Sequence, residues 1–314
     1  MTTPTGKKLD LQKDAICLSL KLGMLRTRRR VDTAMIQTDA EPEMVHVSKD
    51  ILESVQLQAV AQYRGSITRY LKARCLPSPF RSGVYLIRLP LVEEVMKYLE
   101  AAEVRDRELV AAFIAFYEGV YAQRHADDNA MRAKLGSLYK VSDYPTPQKV
   151  KDTFQFKVHL LELSTPGSLR TIDRALYEHE AAKMQNVWEG ARQQITQVLL
   201  VEFRKLTARM SEKLREVGPD GRPKTFRDSL VGNLQEWLDL FEKRDLSNDE
   251  ELIKLVNQAR AMVSGLKPDV IRESKTLKNE IAEEMQKITA QLDQAIVERP
   301  GRRIELDEPE QVPA

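Results

Sequence analysis

The sequence predicts a mainly α protein with a small β element, an α+β chain, and three observations carry that expectation. Leu, Glu, Lys, Arg, Gln and Ala are plentiful while 314 residues include only 13 Gly and 14 Pro, a mixture that favours long helices over Gly-rich sandwiches or barrels. Apolar residues recur at steps of three and four through most of the C-terminal half, the spacing of amphipathic helices. Two short stretches alternate strictly instead, which is the period of a half-buried strand.

The first alternating stretch places Ile16, Leu18, Leu20, Leu22 and Met24 on one side, with Cys17, Ser19, Lys21 and Gly23 on the other. Weaker strand material follows around Met44 to Val47. From Ser48, read as an N-cap, a helical pattern runs through Ile51, Val55, Val60, Ile67 and Leu71 until Pro77 and Pro79 end it. Val84 to Leu89 fits a short strand or turn, and Pro90 suits the first residue of a helix reaching about Ala126. Tyr144-Pro145-Thr146-Pro147 breaks the chain, and Phe154 to Leu161 forms the second alternating strand.

Residues 166–217 predict one continuous helix, about 75 Å long at 1.5 Å per residue. Its apolar stripe is Leu169, Ile172, Leu176, Met184, Trp188, Ile195, Leu199, Phe203, Leu206, Met210 and Leu214. Gly190 is its weak point, costing about 1 kcal/mol relative to Ala. Gly218-Pro219-Asp220-Gly221 reads as a turn. A helix through Leu230 to Phe241 follows, then one begun by a Ser247–Glu250 capping box. The last helix starts near Pro268 and carries Leu277, Ile281, Met285, Ile288, Leu292 and Ile296. The expected organisation is a mixed N-terminal part (9–164), an all-helical part forming a long antiparallel bundle or coiled-coil-like array (165–300), and a disordered tail (301–314).

Lys plus Arg number 49 against 47 Asp plus Glu, a net charge of +2, so a globally basic nucleic-acid coat is excluded while local patches are not. Cys17 and Cys75 are too few for a disulfide scaffold. No run reaches the roughly 20 apolar residues of a spanning helix, and the arginines after Ile16–Leu25 stand on the wrong side for a signal peptide. A cytoplasmic protein without a membrane partner is expected.

Motifs for chemistry are sparse. There is no Walker A loop, dinucleotide fingerprint or nucleophile elbow. His46, His125, His159 and His179 are scattered, and the single Glu43-x-x-His46 spacing lacks the second copy that a di-iron bundle needs. Glu178-His179-Glu180 reads as a solvated helix face rather than an acid–base pair. Pro268-Asp269 with Glu273-Ser274-Lys275 resembles a nuclease signature, but its carboxylates fall within one helical pattern and read as a helix start. No catalytic, cofactor or metal residue is therefore assigned.

Two features point to binding. Arg26, Arg28, Arg29 and Arg30 form the densest cationic cluster. On a strand, Arg26, Arg28 and Arg30 would share a face about 7 Å apart, a spacing that suits weak contact with nucleic-acid phosphates, though no aromatic residues are interleaved for base stacking. A shorter cluster, Arg299, Arg302 and Arg303, lies in the tail. The long apolar stripe must also be covered, since each large side chain left in water forfeits on the order of 1.5–3 kcal/mol. The last helix, running back antiparallel, is expected to cover part of it. A second copy or a protein partner would cover the overhang, with Trp188 at the centre of an assembly interface that includes Ile195, Leu199 and Phe203.

Phe80-Arg81-Ser82-Gly83-Val84-Tyr85-Leu86, Leu135-Gly136-Ser137-Leu138-Tyr139 with Asp143-Tyr144-Pro145, and Phe226-Arg227-Asp228-Ser229-Leu230-Val231-Gly232-Asn233-Leu234 span most of the chain. In these segments it resembles a family of uncharacterised helical proteins of bacterial genomes, plasmids and phages, some encoded near MoxR-type AAA+ ATPases. The resemblance implies a bacterial or mobile-element setting and an AAA+ ATPase as a possible partner, and it carries no active-site residue. The expected function is a non-enzymatic helical scaffold or adaptor. The alternatives are a nucleic-acid-binding accessory protein using the arginine cluster, or an enzyme whose site is assembled from dispersed residues.

Overall fold

The computed structural model describes residues 10–32, 35–36, 40–41, 44–78, 83–127, 129–162, 164–217 and 224–298. The elements in chain order are α1 (Leu11–Asp14), β1 (Ala15–Gly23), β2 (Arg28–Val31), β3 (Val47–Asp50), α2 (Val55–Arg74), β4 (Leu76–Pro77), β5 (Val84–Arg88), α3 (Leu89–Ala126), α4 (Asn129–Leu135), α5 (Pro147–Thr153), β6 (Gln155–Leu161), α6 (Leu169–Ile172), α7 (Arg174–Arg215), α8 (Ser229–Arg244), α9 (Glu250–Val263), α10 (Pro268–Glu273) and α11 (Lys275–Glu298). A small sheet in the N-terminal part and a long helical C-terminal part make the fold mainly α with a β element. The sheet order is β4-β5-β1-β6, and β2 pairs with β3 separately.

The chain forms two compact units whose borders differ from a cut at residue 164. One comprises Met1–Ser19, Leu71–Glu93 and Leu160–Ala314; the other comprises Leu20–Tyr70 and Glu94–His159. The borders fall inside β1, α2, α3 and β6. The reason lies in the first unit's core. Leu11, Cys17, Leu76, Val84 and Leu86 join one cluster with Leu199 and Phe203 of α7, Val231 and Leu238 of α8, and Ile281, Ile288 and Leu292 of α11. Early strand residues therefore belong with the late helices.

In this unit β1 pairs antiparallel with β5, Cys17 opposite Leu86, and β5 pairs antiparallel with β4, Leu86 opposite Leu76. The expected antiparallel packing of the long helix on the last one is present. Arg204, Thr207 and Ser211 of α7 meet Asp293, Thr289 and Ala282 of α11 in reverse order, through contacts of 2.7, 2.9 and 2.9 Å.

Several element starts differ from expectation, each because a different side chain supplies the cap. The long helix does not begin at residue 166. Asp173 is extended, and its carboxylate accepts the backbone N–H groups of Ala175 (2.7 Å) and Leu176 (3.3 Å). It thus separates the single turn α6 from α7, which then runs unbroken through Gly190. Ser48 lies in β3, not at a helix start; Ser54 caps α2 by accepting the Leu57 N–H at 3.2 Å. Asp249, rather than Ser247, caps α9 through the Leu252 N–H at 3.0 Å, while Ser247 donates to Asp245. The last helix is divided at Ser274, whose hydroxyl accepts the Leu277 N–H. The short helix α5 had no expectation; Thr146 caps it and Pro147 opens it. The Gly218–Gly221 turn, Glu43 and residues 299–314 lie outside the described residues.

The second unit is built on the packing of Leu25, Leu57, Val60, Phe113, Tyr117 and Val150. Within it Arg64 of α2 grips Asp106 of α3 in a bidentate pair, with both N–O distances 2.7 Å. Arg64 is 5% exposed and Asp106 2%. The guanidinium also donates to the Gly23 carbonyl and lies over the Phe154 ring at 5.5 Å. Gly23 is required here because a Cβ would collide with the Thr153 carbonyl oxygen.

Candidate functional site

α7 consists of two stretches with different surroundings. From Trp188 onward, buried positions recur at Trp188, Ala191, Ile195, Leu199, Phe203, Thr207, Met210 and Leu214. Between Arg174 and Val187 none is buried. Asp293 stands level with Arg204, and five further residues of α11 reach back only to about residue 199 of α7 at equal rise. The stretch before about residue 199 therefore lies beyond the described part of α11, and Trp188, Ala191 and Ile195 are buried in the first unit's core all the same.

This stretch retains apolar side chains in water. Leu176 is 42% exposed and Val187 46%, with Ile172 in the preceding turn 76% exposed. At 100° per residue, Leu176, Glu180, Lys183 and Val187 fall within a sector about 60° wide. Trp188 and Ile195 point about 100° away from its centre. Glu180 and Lys183 form an ion pair at 2.6 Å in the middle of the stripe, and Gly190 continues it in open space. On the Trp188 side of the helix, residues of α1 and the segment before α6 border a cavity of about 570 Å³, with Asp10, Gln12, Tyr177, Trp188 and Arg192 among its walls.

The four residues expected to form an assembly interface are therefore placed elsewhere. Trp188, Ile195, Leu199 and Phe203 all lie within the chain's own core, so internal packing already occupies that stripe. Leu176 and Ile172, expected on the same stripe, face solvent instead. The continuous seam assumed from sequence is two faces, because Asp173 resets the helix and the exposed set lies round from the buried one.

The arginine cluster is also redistributed. Arg28 and Arg30 lie on β2 and are exposed, Arg29 between them is half-buried, and Arg26 precedes the strand. The Arg29 guanidinium donates to the carbonyls of Arg26 (2.8 Å) and Arg28 (3.3 Å) and reaches that of Asp143 at 3.5 Å. Opposite it, Lys49 is buried and pairs with the Asp143 carboxylate at 2.5 Å. Arg29 and Lys49 thus hold the hairpin to the segment before α5, a structural role that sequence distance concealed. Asp50 offsets Arg28 at 3.5 Å, and Arg30 reaches His46 at 3.4 Å. Replacing Arg26, Arg28 and Arg30 with Ala is expected to leave stability within about 0.5 kcal/mol of wild type. Arg29→Ala should cost about 1 kcal/mol. Urea denaturation checks both values. Submicromolar duplex-DNA binding in physiological salt that the triple variant abolishes would move the functional reading to nucleic acid.

The remaining sequence features have local explanations. Glu178 pairs with Arg174 at 2.9 Å on an exposed face. Asp269 pairs with Arg272 at 2.6 Å at the start of α10. Phe226 is buried with the Arg272 guanidinium 5.0 Å from its ring centre, while Arg227 is exposed. Gly83 and Gly136 take positive φ, +76° and +54°, and Phe80, Arg81 and Ser82 lie outside the described residues. Burial pushes the free thiols of Cys17 and Cys75 up to about 11 and about 12, which suppresses their thiolate reactivity at neutral pH. Burial also raises the pKa of the Asp245 carboxyl, despite its bonds from Ser247. Among the described residues no group of three or more His, Cys, Asp or Glu is arranged to hold a metal, and no helix is long and apolar enough to cross a membrane. Compared with protein-family models, curated proteins and solved structures, the chain matches none.

Proposed function

We propose that the protein is a non-enzymatic helical scaffold or adaptor that acts through protein–protein assembly, with the N-terminal stretch of α7 as its docking element. One observation carries this reading. Leu176 and Val187 stand in water on α7, and Ile172 does so in the turn before it. Side chains of this kind on one face anchor a partner helix laid along that face. The ordered ion pair between them gives the stripe a charge pattern as well as an apolar one, which favours a specific partner over general adhesion. The resemblance to helical proteins encoded near MoxR-type AAA+ ATPases adds such an ATPase to the candidate partners and a bacterial or mobile-element setting. The two free, buried thiols are compatible with work in a reducing cytoplasm.

A photo-crosslinking amino acid at position 176, in the cells that make the protein, tests the proposal. A discrete adduct is expected, and Val187→Asp together with Ile172→Asp should abolish it. The absence of any adduct would overturn the docking reading.

A further inference from the structure

The docking stripe has an internal symmetry that selects its occupant. Leu176, Glu180, Lys183 and Val187 are separated by steps of four, three and four. An alternation of threes and fours is the seam of a left-handed helix pair. The pattern 4-3-4 also reads the same in both directions. Two copies of the helix laid antiparallel about its midpoint, between residues 181 and 182, therefore place every seam position opposite another seam position.

The chemistry follows the same symmetry. In that register Leu176 meets Val187 of the second copy and Val187 meets its Leu176. Glu180 meets Lys183 of the second copy, and Lys183 meets its Glu180. All four layers are complementary, two apolar outside and two charged inside. The Glu180–Lys183 pair already present in one chain, at 2.6 Å, becomes one side of a four-charge ring. Had both central residues carried one sign, the same register would repel. Gly190, one step beyond the stripe, has no atom within 4 Å of where a Cβ would stand, so it presents no side chain to a second backbone. A two-fold interface must be self-complementary in this way.

We infer that the partner seated on this stripe is a second copy of the chain, in an antiparallel pair centred between residues 181 and 182. The inference rests on the assembly reading above and names its partner. The contact spans only about three turns, so its area falls below the roughly 1,000 Å² of a stable interface. The pair is accordingly weak and reversible, as interfaces of this size class are.

Charge exchange at the two central positions tests the register. Glu180→Lys places only lysines at the centre of a pair and Lys183→Glu places only glutamates. Each variant alone should dissociate at least about tenfold more readily in sedimentation equilibrium. An equimolar mixture should pair about as well as wild type, since every lysine then meets a glutamate. This recovery on mixing also excludes misfolding as the cause of the loss. Wild-type protein that stays monomeric at about 100 µM, or single variants that pair as well as wild type, would overturn the inference. The photo-adduct at position 176 separates this failure from failure of the docking reading. An adduct of twice the chain mass supports the second copy. An adduct of another mass overturns the second copy and leaves the docking reading standing, while no adduct overturns both.

Discussion

Asp106→Ala is expected to destabilise the protein by about 3–5 kcal/mol, the effect of removing one partner from a buried ion pair. The substitution leaves the Arg64 guanidinium, 5% exposed, without the carboxylate that takes two of its hydrogen bonds at 2.7 Å. The Gly23 carbonyl and the Phe154 ring remain beside it, but neither carries the opposite charge. The cost therefore arises mainly from a stranded cation, so replacing both charged residues should be milder than replacing one. Arg64→Met combined with Asp106→Leu is expected to recover most of the loss, because well-packed apolar side chains avoid the desolvation cost altogether. The urea midpoint of the far-ultraviolet circular dichroism signal reads both variants. An unchanged midpoint for Asp106→Ala would show that the pair contributes nothing to stability.

Phe203→Ala is expected to cost a comparable amount, about 3–5 kcal/mol, through a cavity in the core of the first unit. Phe203 is fully buried, and its ring is stacked on that of Trp237 with centroids 4.8 Å apart and planes 1° from parallel. Such a contact contributes about 0.5–1.5 kcal/mol beyond the buried area. Trp237 is further fixed by its indole N–H donating to Glu202 at 3.1 Å, and Glu202 also accepts from the buried Arg244 at 2.6 Å. Native-state tryptophan emission should shift to the red in Phe203→Ala as water reaches the ring, together with the fall in midpoint. Phe203→Leu should lose less on both measures. An unshifted emission spectrum would mean that the neighbouring helices close over the cavity.

The sequence made the regular elements legible wherever their signals were local. β1 and β6 were visible because each alternates in its own residues, and α11 because its stripe is unmixed. Ser48 is a good cap in isolation, and only the pairing of Val47–Asp50 with Arg28–Val31 claims it for a strand. Asp is a strong capping residue, but the apolar spacing on either side of Asp173 continues through it and hides the joint. The ion pairs Lys49–Asp143 and Arg64–Asp106 were out of reach, because nothing in either residue's neighbourhood names a partner so far along the chain. On α7 the spacing names the apolar residues but does not separate their faces. Leu176 and Trp188 both fit a loose three-four spacing, yet at 100° per residue they lie about 120° apart round the helix, and only Trp188 joins the core.

The borders of the two units have a consequence for synthesis on the ribosome. The unit of Leu20–Tyr70 and Glu94–His159 has all its residues once His159 has been made. The other unit has to wait much longer, because its core joins Leu11 and Cys17 to Ile288 and Leu292. At about 5–20 residues per second, the interval between Leu11 and Leu292 is roughly 15–55 s. For that time the core around the earliest strand of the nascent chain lacks its last helix. Part of this core therefore stays open until nearly the last helix emerges, and slow stretches of message late in the reading frame would prolong that exposure.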